Sequence, residues 1–254
     1  MFLAWLGFTG IPHEIKEADY DKAPKSKIPY IEHDGNVLGD SQLIIRYLEN
    51  TFNVSKMSGL DGTKNPFVPF AKLSAADKAR SELIRILCEQ DLYWGILLLR
   101  WGGKAGICKD EKAWYGTAEN FFDAIPAAIR GIITSMIRVD VFRDARGQGL
   151  IRHSPDDQLY LMKRSVDTLS TSLGNQTYML GASPSECDCI AFGTIDCLLD
   201  DSHWPNELTD YLRENCPNLV RYHRAIRHSV FEDMAVGDKI PLGVPDSKGI
   251  YNER

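Results

Sequence analysis

A short stretch near the N-terminus constrains this chain more than any other. Pro29-Tyr30-Ile31-Glu32-His33 reads as one strand and Asn36-Val37-Leu38 as a second, and the Asp34-Gly35 between them is a dipeptide strongly favoured in two-residue hairpin turns. Gly39-Asp40-Ser41 follows as a helix-start signal, and Leu43, Ile44, Tyr47 and Leu48 then recur at helical spacing through Gln42 to Phe52. Upstream, Phe2, Leu3, Leu6 and Phe8 surround Trp5 at helical spacing, and Gly10 closes that run as C-terminal glycines do. The N-terminal order is therefore helix, β-hairpin, helix.

Beyond Asn53 the pattern breaks, with Gly59, Gly62, Pro66 and Pro69 interrupting any period up to Leu73, which suits a linker. Everything after it reads as helix. Ser74 to Trp101 forms a long helix with Leu83, Leu87, Trp94, Leu98 and Trp101 along one face. Ile125 to Gln148 and Pro155 to Leu173 form a helical hairpin, the second helix opened by Ser154-Pro155-Asp156-Asp157. Ser185 to Leu199 is a nearly all-apolar helix that starts at Ser185-Glu186-Cys187-Asp188, a capping-box variant, and two helices follow near Asn206 to Glu214 and Leu219 to Phe231. The expected organisation is residues 1–54 as a first domain, 55–73 as linker, 74–234 as an all-helical domain and 235–254 as a tail.

Composition narrows the function classes. A net charge of -6, with no basic stripe, argues against a nucleic-acid partner. No apolar run reaches the roughly 18 to 20 residues needed to cross a bilayer, which leaves peripheral membrane association open. Met1 to Phe8 is apolar but lacks a basic leader and a small-residue cleavage site, so no signal peptide is expected. Six cysteines, with Cys187, Cys189 and Cys197 in one helical pattern, read as thiols of a reducing compartment and point to the cytoplasm. Cys187 and Cys189 fall on different helix faces, which argues against a metal site. Cys88 reads as a small buried residue, and His153 lacks a paired nucleophile.

The run Ser26-Lys27-Ile28-Pro29-Tyr30-Ile31, then Asp34-Gly35, then Asp40-Ser41 before an amphipathic helix, resembles the glutathione-binding half of the glutathione transferase superfamily. More narrowly, Lys27 to Gly35, Asp91 to Trp94, Gly149 to Ser154 and Cys216 to Leu219 are similar to the failed-axon-connections and metaxin-like branch, a likeness running from about Leu3 to Phe231. The resemblance implies an incomplete thioredoxin-like α/β domain followed by an all-α glutathione-transferase domain. It also implies a cis Ile28–Pro29 bond, against about 5 to 6% of X-Pro bonds generally, with the Ile28 backbone presented to the cysteinyl part of glutathione. The alternative is a trans Pro29 that simply starts a strand.

By the same resemblance, Ser41 would hold the γ-glutamyl carboxylate and Asp40 its ammonium; alternatively the two are only an N-cap. Tyr93, Trp94, Arg100 and Trp101 would line a second-substrate pocket for a small hydrophobic electrophile, although core packing also accounts for the tryptophans. Glutathione is the implied ligand or substrate, no metal is implied, and a homodimer is common in the superfamily. The superfamily's thiolate-stabilising Tyr, Ser or Cys lies before the segment matching Leu3 to Glu14, so no catalytic residue is assigned and a sheet of at most three strands is expected. Two functions follow: a glutathione-binding protein that conjugates an electrophile, or a non-catalytic scaffold of the metaxin-like type.

Overall fold

The structure, a computed structural model, describes residues 1–16, 19, 21–24, 27–54, 67–107, 113–122, 125–200 and 206–231. Ser26, the linker residues 55–66 with Gly59, Gly62 and Pro66, and the tail 235–254 lie outside the described residues. The elements run α1 (Phe2–Thr9), β1 (Tyr30–His33), β2 (Asn36–Gly39), α2 (Ser41–Thr51), α3 (Ala75–Ile86), α4 (Tyr93–Trp101), α5 (Ala113–Phe121), α6 (Ala127–Gln148), α7 (Pro155–Leu173), α8 (Glu186–Leu199), α9 (Glu207–Asn215) and α10 (Pro217–Phe231). Contacts divide the chain into two units, one of residues 1–82, 176–193 and 222–254, the other of 83–175 and 194–221.

In the first unit the hairpin forms as its turn residues dictate. Asp34 and Gly35 both take positive φ, 50° and 78°, the twist that a two-residue turn needs to match its strands. Tyr30 pairs with Gly39 and His33 with Asn36, giving a two-stranded antiparallel sheet among the described residues, within the expected limit of three strands. α1 ends at Gly10, left-handed at φ 66°, as expected. It buries Trp5 completely, with the Phe67 ring edge-on at 6.1 Å, while Phe8 meets Tyr178 edge-on at the same distance. α2 turns Ile44, Ile45 and Leu48 inward, whereas Leu43, read as part of that face, is 51% exposed.

The start of α8 is a buried polar knot. Asp188 accepts four hydrogen bonds: Met179 N–H at 2.7 Å and Tyr222 Oη–H at 2.9 Å on Oδ1, and Ser185 N–H and Ser185 Oγ–H, both at 2.9 Å, on Oδ2. The reach of Asp188 back to the Ser185 N–H is the capping box expected from sequence. Burial pushes the Asp188 carboxyl up, and these hydrogen bonds pull it back in part.

The long helix expected over 74–101, which belongs to the second unit from Leu83 onward, is continuous but not uniform. Leu87–Leu92 is a π-helical turn, one residue wider than α, between α3 and α4. This corrects the predicted face in its first part: Leu98 and Trp101 are buried as expected, whereas Leu83 is 66% exposed and Ile84, Cys88, Leu92 and Ile96 are buried. That spacing of four drifts on a 3.6-residue helix, and the wider turn keeps it facing inward. α5 was not anticipated from sequence. It is tied down by Thr117 Oγ1, which donates to the Arg100 carbonyl at 2.9 Å, and by Trp114, whose ring lies 5.1 Å from the Arg138 guanidinium of α6. Ser154 caps α7 with Pro155 in the first turn, as predicted.

Candidate functional site

The ladder that starts at Tyr30 and Gly39 places the residues just outside it, Ile28-Pro29 and Asp40-Ser41, at the same end of the hairpin. The Ile28–Pro29 bond is cis. Ile28 is exposed, and among the described residues its N–H and C=O enter no backbone hydrogen bond.

Asp40 is held in an uncommon state. Its φ of 72° and ψ of 115° lie in a region that a residue with a Cβ seldom adopts, at a cost on the order of 1 to 3 kcal/mol. Its Oδ1 accepts from the Gln42 N–H at 3.1 Å and the Leu43 N–H at 3.3 Å, so it is the N-cap of α2. Ser41 follows as the first helical residue, half-buried, its hydroxyl bonded to no other described residue. The carboxylate therefore spends one oxygen on the cap, and the helix start offers a hydroxyl and a positive dipole end next to it.

In the second unit, Tyr93 and Arg100 lie two turns apart on one side of α4 and Trp94 and Trp101 on the adjacent side. Tyr93 is 49% exposed, and its ring stands edge-on to Trp94 at 5.6 Å. Burial pushes the Tyr93 phenol up, the Arg100 cation pulls it down and the Asp144 carboxylate adds to the rise, so at neutral pH it is a neutral hydrogen-bond donor. Trp101 is 6% exposed, packs edge-on to Phe122 at 6.0 Å, and gives its carbonyl to Arg138 Nε at 2.8 Å. These contacts are those of a core residue.

Three of the described thiols are poorly suited to act as nucleophiles. Burial pushes the Cys88 thiol up to about 12, with an opposing hydrogen bond from Thr194, and raises Cys189 well above the ordinary range and Cys216 more modestly. A thiol so raised stays protonated and unreactive at neutral pH. Among the described residues no cluster of three His, Cys, Asp or Glu side chains is placed to hold a metal ion, and no helix is long and apolar enough to cross a membrane.

With the hairpin end and its capped helix in view, comparison with known proteins is decisive. A family model for the glutathione S-transferase N-terminal domain matches residues 2–107, one for the C-terminal domain matches 162–226, and the isoprene-epoxide glutathione S-transferase of Rhodococcus sp. (strain AD45) is 31% identical over 238 residues, spanning 88% of this chain and 87% of that protein. The chain belongs to the glutathione S-transferase family.

Within this family it is also similar to metaxin-2 of Mus musculus, 25% identical over 92% of this chain and 82% of the relative. The Failed axon connections protein of Drosophila melanogaster is 22% identical, over 96% of this chain and 58% of that longer protein. The fold matches the crystal structure of the beta-etherase LigF from Sphingobium sp. strain SYK-6, with a TM-score of 0.59, 21% identity and 92% of each chain covered. The incomplete thioredoxin-like domain followed by a helical glutathione-transferase domain, and the likeness to the metaxin and failed-axon-connections branch, thus agree with the sequence reading. The strain at Asp40 was not visible in the sequence, since an Asp before a Ser reads as an ordinary cap.

Proposed function

We propose that this protein binds glutathione at the hairpin end, with the Ile28 backbone beside Pro29 pairing to the cysteinyl unit, Ser41 and the start of α2 taking the γ-glutamyl carboxylate, and the free carboxylate oxygen of Asp40 taking the ammonium. The single observation that carries this reading is the positive φ of Asp40: a helix cap is available to Asp without that strain, and strained residues concentrate at ligand sites. Membership of the glutathione S-transferase family supports it. Conjugation is the second step of the proposal. A small hydrophobic electrophile would lie against Tyr93, Trp94 and Arg100, with Trp101 behind them in the core, where the Tyr93 phenol donates a hydrogen bond and the Arg100 cation stabilises developing negative charge. The thiolate would be that of glutathione; Cys88, Cys189 and Cys216 are held protonated.

The similarity to metaxin-2 and Failed axon connections favours a second reading, a binding or scaffold protein that uses the same fold without catalysis. Titration calorimetry with millimolar glutathione separates the two. Saturable heat in the wild-type protein that is lost in Ser41→Ala supports the first reading; no heat in either protein sinks it and leaves the scaffold.

A further inference from the structure

In the tetrapeptide Asp91-Leu92-Tyr93-Trp94, Leu92 belongs to the core and the two rings to the proposed second-substrate wall, whereas Asp91 serves neither. It sits in the last turn of the π segment Leu87–Leu92, half-buried, and its Oδ2 accepts a hydrogen bond from Ser165 Oγ–H of α7, a residue only 9% exposed. One turn further on, Gly95 is pressed against the same helix: a Cβ there would come within 2.3 Å of Met162 Sδ, too close for any side chain. Asp91 and Gly95 are four residues apart on one helix, and Ser165 and Met162 three apart, in reverse order, on the other. The two contacts therefore form a ladder between antiparallel helices. The rung at Gly95 only excludes; the rung at Asp91, a hydrogen bond to a carboxylate, attracts.

The attractive rung matters because a π turn is free to slide. The Tyr93 N–H donates to the Cys88 carbonyl five residues back, the bond that marks the wide turn. Moving such a turn along a helix exchanges one set of backbone hydrogen bonds for another of the same kind, so the backbone alone does not fix where it ends. Every side chain beyond the turn takes its direction from that end point. A turn that ended after Tyr93 would leave this residue in the phase of α3 and point its ring elsewhere.

We propose that Asp91 is a positioning residue: by holding Ser165 it keeps the wide turn on the N-terminal side of Tyr93 and so sets the direction in which Tyr93 and, two turns on, Arg100 leave α4. The geometry stands by itself; its consequence for turnover rests on the conjugation proposed above.

The surroundings make the bond testable. The Ser165 hydroxyl also lies 3.2 Å from the Leu161 carbonyl of its own helix, so in Asp91→Ala it keeps an acceptor. In Ser165→Ala the half-buried Asp91 carboxylate is not cut off from water, and alanine is the better helix former. Fluorine NMR of the full chain labelled with 3-fluorotyrosine, the Tyr93 signal assigned by its disappearance in Tyr93→Phe, reads the direction of the ring without any ligand. The Tyr93 signal leaves its wild-type position in Asp91→Ala and in Ser165→Ala, with far-UV circular dichroism unchanged, and Ser165→Thr, which keeps the hydroxyl, restores it. Ser165→Ala is the sharper variant because it removes no charge. A signal that moves in Asp91→Ala but not in Ser165→Ala reports the lost carboxylate alone and overturns the proposal, as does one that moves as far in Ser165→Thr as in Ser165→Ala. With glutathione and an electrophile, kcat/KM of Ser165→Ala falls on the order of tenfold to a hundredfold while the glutathione dissociation constant holds. A wild type that conjugates nothing counts against the proposed function, and the fluorine signal still decides the role of Asp91.

Discussion

At Asp40 the backbone and the side chain ask for different residues. Its φ of 72° suits glycine, whereas the two amides that it caps ask for a carboxylate. Asp40→Ala keeps the strain and loses the cap, and it lowers stability by about 1 kcal/mol in urea unfolding. Asp40→Gly relieves the strain and comes out within a few tenths of a kcal/mol of wild type. On the proposed site both variants lose glutathione affinity together, because neither offers an oxygen to the ammonium; a glycine variant that binds as well as wild type would remove Asp40 from the site. Ser41→Ala leaves the cap in place, so its loss appears in the binding isotherm and hardly at all in the unfolding curve.

At the level of elements, what the sequence shows and what it hides follow from the range of the forces involved. The hairpin, the Gly10 stop, the Ser154 cap and the Ser185–Asp188 box were legible because each is decided by residues within four positions of one another. The face of the long helix was legible only at its end, in Leu98 and Trp101, because the π turn at Leu87–Leu92 breaks the period on which such a reading depends, and the buried line of Ile84, Cys88, Leu92 and Ile96 becomes clear only when the turn is known. α5 was hidden for another reason: its place is set by Arg100 and Arg138, 17 residues before Thr117 and 24 after Trp114, rather than by a period of its own. The knot at α8 yields a sharper test. Asp188→Asn presents an amide to donors that a carboxylate accepted, leaving at least one buried N–H unpaired, and costs roughly 2 to 3 kcal/mol. Because burial raises the folded carboxyl above 3.8, its protonated-state contribution is complete below that pH and is lost as the pH rises through the folded value. In urea melts run upward from pH 4, the stability gap between wild type and Asp188→Asn therefore narrows.

For the whole molecule, the same glutathione site predicts a thermal response. A ligand at 100 times its dissociation constant adds about 2.7 kcal/mol to the folded state. At roughly 2 to 4 °C per kcal/mol for a chain of this size class, saturating glutathione raises the melting temperature by several degrees, and the rise disappears in Ser41→Ala. A flat melting temperature at every dose would instead direct attention to the scaffold reading. The π turn described above also has a meaning for descent. One residue added or removed between Leu87 and Leu92 turns all of α4 by about 100° without changing a single amino-acid type on it. Tyr93 and Arg100 would then exchange orientation with their neighbours, so the chemistry that this helix displays is encoded in chain length as much as in side-chain identity. Two relatives with the same tetrapeptide Asp-Leu-Tyr-Trp can present different walls if they differ by one residue in the stretch just before it.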